Sequence, residues 1–312
     1  MSILFDASDS MYLTNSVSSL TSYKRKNAKS EEEIYASNPR ENKDSKLYDN
    51  RLEDELMETI DLGKIARNVA NCMEKNAKEV WIVISCGGFA PIHTSHISLV
   101  QSALERLTKE GEKSYGMMGI FIPNNAKYTA HKLRERGKDV PNYLEKEHII
   151  NSAKVVFEDY ENMDLCTIDL DRESWCEWFV CVKECINLFL CAWNIVTGFK
   201  ESGFFREGIE VPELKFSFVG GEDLIRSKNG LHKGVNHVDF LDKIFMVPRE
   251  VEACKKVKYP LSQDVEILDY IDLTMSSTKV RQLIEDKNYE ELEKALHPKT
   301  LAYLTMNSMF FA

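Results

Sequence analysis

Residues 81–100 read WIVISCGGFAPIHTSHISLV. An aliphatic run ends at Gly87-Gly88, and after Phe89 and Pro91 the apolar residues recur at helical spacing. A buried strand that feeds a glycine loop and then a helix is the local order of an α/β nucleotide site. Gly87 and Gly88 carry no Cβ, so backbone N–H groups there can approach a phosphate closely, and the following helix adds its positive end. His93 and His96, three apart at the entry to that helix, can both aim at one anion and donate hydrogen bonds to its oxygens. No cysteine or carboxylate stands at ligand spacing beside them, so no metal site is expected there, and helix capping is the alternative use for either ring.

Outward from this stretch, apolar runs and helical periods alternate. Strands are expected at Val80 to Ser85, Gly116 to Ile122, Leu165 to Ile168, Lys215 to Val219, Ile244 to Val247 and Val265 to Leu268. Helices are expected at Ser95 to Lys109, Tyr143 to Phe157, Glu173 to Thr197, Asp223 to Ser227, Ser277 to Glu285, Tyr289 to Leu296 and Pro298 to Asn307. Such alternation predicts a Rossmann-like, doubly wound α/β domain with a parallel sheet, a C-terminal helical subdomain and a binding crevice at the carboxyl ends of the strands. That domain is expected over residues 78–312. Residues 1–77 read as an N-terminal extension, polar and partly disordered, with one amphipathic helix carrying Leu52, Leu56, Ile60, Ile65 and Val69.

With 312 residues, 43% hydrophobic and 29% charged, the chain has an ordinary globular composition. Its formal net charge of −10 disfavours a general nucleic-acid or anionic-membrane binder, though a local basic pocket is compatible with it. No apolar run is expected to reach the roughly 20 residues of a membrane-spanning helix. Eight cysteines, none in a CxxC pair and without a cleavable signal peptide before them, fit reduced thiols in the cytosol, with the nucleus as the other compartment. Cys181 and Cys185 share a helix face, but small buried hydrophobes are the better reading of such thiols.

A second anion site is written near the C-terminus in LTMSSTKVRQLI, residues 273–284. Ser276 can N-cap the helix that follows, Ser277 and Thr278 place hydroxyls at its start, and Arg281 follows one turn along. Hydroxyls, unpaired helix N–H groups and a guanidinium that matches phosphate oxygens in pairs make this phosphate chemistry, against the plainer reading of a capped surface helix.

GGFAPIHTSH together with SSTKVR resembles the (H/T)xGH nucleotidyltransferase superfamily, with Ser95 in place of the usual Gly. IPNNAKY is similar to the family's P-x-N-x-x-Y segment through Pro123, Asn125 and Tyr128. FVGGEDLI looks like its GAD loop through Gly221 and Asp223, and IFMVPRE like its strand ending in Arg, here Arg249. The likeness spans roughly residues 78–307 and is nearest the nicotinamide or nicotinate mononucleotide adenylyltransferases.

The resemblance implies adenylyl transfer from ATP to the mononucleotide, giving the dinucleotide and pyrophosphate with no covalent enzyme intermediate. It implies catalytic roles for His93, His96 and Arg281, with His96 the superfamily's shared histidine. ATP contacts are implied for Gly87, Gly88, Phe89, Gly221, Asp223, Ser277, Thr278 and Arg281, and mononucleotide contacts for Asn125, Tyr128, Leu231, His232 and Arg249. Mg²⁺ is implied to arrive with ATP, and a homo-oligomer is compatible with the family. The departures fall at the pyridine end. Asp171 or Arg172 stands where the family has a ring-stacking Trp, with Trp175 and Trp178 further along and better read as core. His232 replaces a second Trp, and Ile149 follows His148 where an Arg is expected. Another phosphorylated acceptor, or a nucleotide-binding paralogue that has lost catalysis and acts through protein partners, are the alternative functions.

Overall fold

The computed structural model describes residues 59–135, 137, 140–141, 144–170, 172, 176–198, 210–227, 230–231, 233–248, 265–269 and 275–307. Leu52 and Leu56 of the expected N-terminal helix therefore lie outside the described residues. Six strands form one sheet: β1 (Glu79–Gly87), β2 (Ser114–Pro123), β3 (Met163–Leu165), β4 (Glu213–Gly221), β5 (Lys243–Val247) and β6 (Val265–Ile267), ordered β3-β2-β1-β4-β5-β6. Every neighbouring pair is parallel. The strand order reverses between β1 and its far neighbour β4, which puts the topological switch point, where such folds bind ligands, at the end of β1.

Because side chains alternate across a strand, β1 supplies two separate cores. Val80, Ile82, Ile84 and Cys86 face one side with Met118, Ile120, Phe216 and Phe218. That side is covered by α1 (Leu62–Glu74) and α5 (Trp178–Gly198). Trp81 and Val83 face the other with Phe121, Val219 and Phe245. There α2 (Thr94–Leu107) and α4 (Lys146–Phe157) close the layer. Helices on both faces make the sheet doubly wound, as the alternating pattern predicts.

The remaining helices are α3 (Ala126–Arg134), the single turn α6 (Glu222–Ile225), α7 (Ser277–Glu285), α8 (Tyr289–Ala295) and α9 (Pro298–Met306). The last three build a third apolar cluster through Val280, Leu283, Leu292, Leu296 and Leu304. It also takes in Ala90 of the glycine loop and Leu133 of α3. The C-terminal helical unit thus seats on the loop after β1.

Local sequence accounts for the ends of these helices. Asp61 caps α1 by accepting from Lys64 N–H, Ser276 caps α7 by accepting from Lys279 N–H, and Asn288 caps α8. Pro298 opens α9 at the position where its missing N–H costs nothing. Helix α1 is part of the main core. Ile65 and Val69 are fully buried, each contributing about 1.5–3 kcal/mol. The Lys64 ammonium reaches Phe157 O at 2.8 Å and Met163 O at 2.6 Å, tying the helix to the β3 edge.

Close approach of α2 to β2 depends on two glycines. A Cβ on Gly116 would stand 2.3 Å from Leu104 O, and one on Gly119 would stand 2.4 Å from Val100 Cγ1. Helix α5 corrects one expectation from sequence, since its 21 residues are long and apolar enough to cross a membrane by length and composition. It is apolar on nearly all sides because it is buried on nearly all sides, the mark of a central core helix.

Candidate active site

The end of β1 turns sharply. Phe89 N–H donates to Gly87 O at 2.9 Å, Asn124 N–H donates to the same oxygen at 2.8 Å, and the Ala90–Pro91 peptide is cis. Phe89 itself is core: its ring packs edge-on against Phe121, centroids 5.3 Å apart, and against His96 at 4.7 Å. A Cβ on Gly88 would meet only Ser277 Oγ, at 3.8 Å, so the space above this residue opens toward α7.

His93 occupies the N-cap of α2 in an extended conformation, and its ring lies stacked on that of His96 with centroids 3.5 Å apart. His93 N–H donates to His96 Nδ1 at 3.3 Å. A neutral His96 therefore carries its proton on Nε2, from which it can donate. His93 is 1% exposed, and neither of its ring nitrogens has a hydrogen-bond partner. A buried imidazole with both nitrogens unpaired is costly, and it calls for a ligand or water to satisfy it. Burial, and then the Arg281 guanidinium, lower the His93 pKa to about 4. Burial, His93 and Arg281 together hold His96 well below the ordinary histidine range. Both rings are neutral at pH 7, chiefly through burial, and an arriving anion would favour their charged forms.

The two stretches marked in the sequence meet here although almost 190 residues separate them. Ser277 Oγ donates to Gly88 O. Arg281 donates from Nη1 to Ala90 O at 3.2 Å and from Nη2 to Thr278 Oγ1 at 3.3 Å. The positive start of α7, two hydroxyls and a guanidinium thus adjoin the glycine loop and the histidine pair. Thr94 Oγ1 fastens the start of α2 to the helical unit by donating to Ala295 O at 3.0 Å.

Other sequence-predicted residues are placed differently. Asn125 is 1% exposed and N-caps α3, accepting from Lys127 N–H at 2.9 Å. Its Nδ2 donates to Asp169 O and Arg172 O, each at 2.9 Å, while its own N–H donates to Asp169 Oδ2 at 2.8 Å. That side chain holds the loop after β3. Tyr128, one turn into α3, receives the Lys132 ammonium at 3.2 Å. Trp178 stacks on Phe218 with centroids 4.4 Å apart, a core position as its sequence reading has it. His148 pairs with Tyr303 Oη at 2.9 Å, fastening α4 to α9. Gly221 ends β4 at the carboxyl edge, and Leu231 lies in a short antiparallel pair with Arg226–Ser227. Asp171, Trp175, His232, Arg249 and the side chains of Asp223 and Leu231 lie outside the described residues.

Sequence reasoning gave no role to Asp169 and Cys176. Asp169 anchors Asn125, and its carboxyl is raised from the usual range, chiefly by burial. Among the described residues, Asp169, Cys176 and Cys181 form the one cluster of three metal-type side chains, with ligand atoms within 4.8 Å of one another. It involves neither histidine of the loop.

No family model matches the chain, and no curated protein does. Solved structures give a distant likeness. The chain is similar to the Plasmodium falciparum nicotinic acid mononucleotide adenylyltransferase complexed with APC, at 15% identity and a TM-score of 0.44, covering 74% of this chain and 96% of that one. The same enzyme complexed with NaAD gives 15% identity and a TM-score of 0.44, covering 74% of this chain and 97% of that one.

Proposed function

We propose that the protein transfers the adenylyl group of ATP to nicotinamide or nicotinate mononucleotide, yielding NAD or its deamido form and pyrophosphate. The observation that carries this reading is the contact of the glycine loop with the start of α7, through Ser277 to Gly88 and Arg281 to Ala90. It joins two phosphate-type groups of residues at the carboxyl end of a parallel sheet, beside a histidine whose ring nitrogens are unpaired.

In the proposed step a mononucleotide phosphate oxygen attacks the α-phosphorus of ATP. A new P–O bond forms as the bond to the β-phosphate oxygen breaks, and pyrophosphate leaves with that electron pair. The protein has only to position the two phosphates in line and neutralise the charge they bring together. His96, donating from Nε2, and His93 act on the α-phosphate. Ser277, Thr278, Arg281 and the start of α7 hold the β- and γ-phosphates. Mg²⁺ would arrive with ATP and add to the charge neutralisation at its phosphates. Tyr128, His232 and Arg249 are assigned to the mononucleotide, and Asn125 acts there by holding the adjoining loop.

The test is pyrophosphate release from MgATP with nicotinamide mononucleotide, nicotinate mononucleotide and phosphopantetheine offered separately, each product identified by mass. Turnover with a pyridine mononucleotide, lowered a hundredfold or more by His96→Ala, is expected. Turnover only with phosphopantetheine would replace the acceptor, and ATP binding without turnover would identify a nucleotide binder. Full activity of His96→Ala would refute the mechanism.

A further inference from the structure

Six of the seven described cysteines are buried, and Cys176 alone is partly exposed. It lies two residues before α5, and Cys181, 3% exposed, lies in the first turn of that helix. Their sulfurs are 3.1 Å apart. A disulfide needs about 2.05 Å, so roughly 1 Å of further approach would close the bond. Cys176 Sγ also lies 3.8 Å from Asp169 Oδ1, and Arg172 Nε stands 3.3 Å from that same oxygen.

The surroundings divide the two thiols into different roles. The hydrogen bond with Cys181 lowers the Cys176 pKa, and Arg172 adds in the same direction against burial and the Asp169 carboxylate. The same hydrogen bond, together with burial, raises Cys181 far above the usual thiol range. The nearby buried thiols are suppressed: burial pushes Cys86 well up, and a hydrogen bond with Cys166 followed by burial does the same for Cys185. A partly accessible, acidified thiol with a second thiol in contact is the arrangement of an attacking and a resolving cysteine.

We propose that Cys176 and Cys181 are an oxidation site, closed to an intramolecular disulfide by a peroxide. The Cys176 thiolate attacks one oxygen of hydrogen peroxide. The O–O bond breaks, hydroxide leaves and takes a proton to become water, and Cys176 becomes a sulfenic acid. The Cys181 sulfur, giving up its proton, attacks the Cys176 sulfur, and the S–O bond breaks to release a second water. Two thiols are oxidised by two electrons, and one peroxide is reduced to two waters. Closure takes the Cys176 S–H away from Asp169, the carboxylate that holds Asn125 and the loop after β2. Transient, signal-driven disulfides of this kind are compatible with a reducing compartment.

The same three side chains could be offered to a soft divalent metal, but the Arg172 guanidinium and the Asn125 N–H already occupy the Asp169 carboxylate. A cation there would sit against a fixed positive charge.

The test uses the full chain, reduced and treated with a chelator, then exposed to one equivalent of hydrogen peroxide and mapped by mass spectrometry. The expected result is loss of two hydrogens from the peptide containing Cys176 and Cys181, reversed by dithiothreitol, with Cys86 and Cys185 unchanged. Cys181→Ser, or Cys181→Ala if the serine is poorly folded, should instead leave a Cys176 sulfenic acid trapped by dimedone. Wild-type protein that gains oxygen at Cys176 without losing the two hydrogens would overturn the proposal. So would a bond to another cysteine, or stoichiometric zinc that survives the chelator and shields Cys176 from alkylation.

Discussion

His93 should make the fold sensitive to acid. Its ring is 1% exposed and its pKa lies at about 4 instead of the ordinary histidine value of about 6.5, through burial and the Arg281 guanidinium. Between those values the unfolded chain binds a proton that the folded chain excludes, so stability falls as pH drops below 6.5, and the loss is complete below about 4. Each pH unit is worth about 1.4 kcal/mol, so the full loss is about 3 kcal/mol, and about 2 kcal/mol of it is present at pH 5. His93→Leu removes the titration and also two buried nitrogens without partners, so at pH 8 the variant should be at least as stable as wild type. Urea unfolding followed by tryptophan fluorescence at pH 8, 7, 6 and 5 measures the difference. Wild type should lose about 2 kcal/mol more than the variant between pH 8 and pH 5. His96 is depressed partly by its stacked neighbour, so its own acid sensitivity should shrink in the variant, which adds to the gap with the same sign. Parallel pH curves for the two proteins would refute the account of His93 as a neutral, ligand-seeking ring.

Three further outcomes test the packing and the site. Gly116→Ala places a methyl against the Leu104 backbone, which cannot swing aside, and should cost about 3 kcal/mol in chemical denaturation. Gly111→Ala meets nothing within 4 Å and should change stability by less than about 0.5 kcal/mol, so equal effects of the two would contradict the α2–β2 geometry. Asn125→Ala removes a helix cap and two buried donors, and should lower stability by roughly 2–4 kcal/mol. An unchanged melting temperature with a raised mononucleotide KM would show instead that the side chain serves the ligand. Arg281→Lys cannot hold Ala90 O and Thr278 Oγ1 with one planar group, and kcat/KM for ATP should fall on the order of 10–100-fold with little change in melting temperature.

Where a single period governs a segment, the sequence was a good guide. The β1 run, the α2 stripe and the three C-terminal helices all lie near their expected positions, because burial on fixed faces dictates their spacing. Errors arose where tertiary contacts decide. The strand expected at Leu165 to Ile168 is Met163–Leu165, since Met163 pairs with Gly119 and the apolar residues after Leu165 form the loop held by Asn125. Helix α3 carries no clear apolar period: its AKYTAHKLR is largely polar and owes its start to the Asn125 cap. In the site, the residue types at Gly87–His96 and Ser277–Arg281 mark out the two stretches that the fold brings into contact. The Cys176–Cys181 pairing was not legible, because the shared-face argument pointed to Cys181 and Cys185, and only the turn entering α5 brings Cys176 back onto it. Nor did the sequence show that Lys64 and Asp61 bind α1 to the β3 edge.

The strand order also sets a timetable for synthesis. β1 takes β2 as a partner soon after it is made, but its other edge pairs with β4, Glu79 opposite Glu213. By the time β4 leaves the ribosome, the whole of α5 has already been translated, with Trp178, Phe189 and Trp193 lacking the Phe216 and Phe218 side of their core. The nascent chain therefore carries its most apolar helix and an open sheet edge together, a combination that favours association with other chains. Non-local pairing of this kind is slow to form, so expression at low temperature or with a holdase should raise the soluble yield more than any change to the polar N-terminal segment.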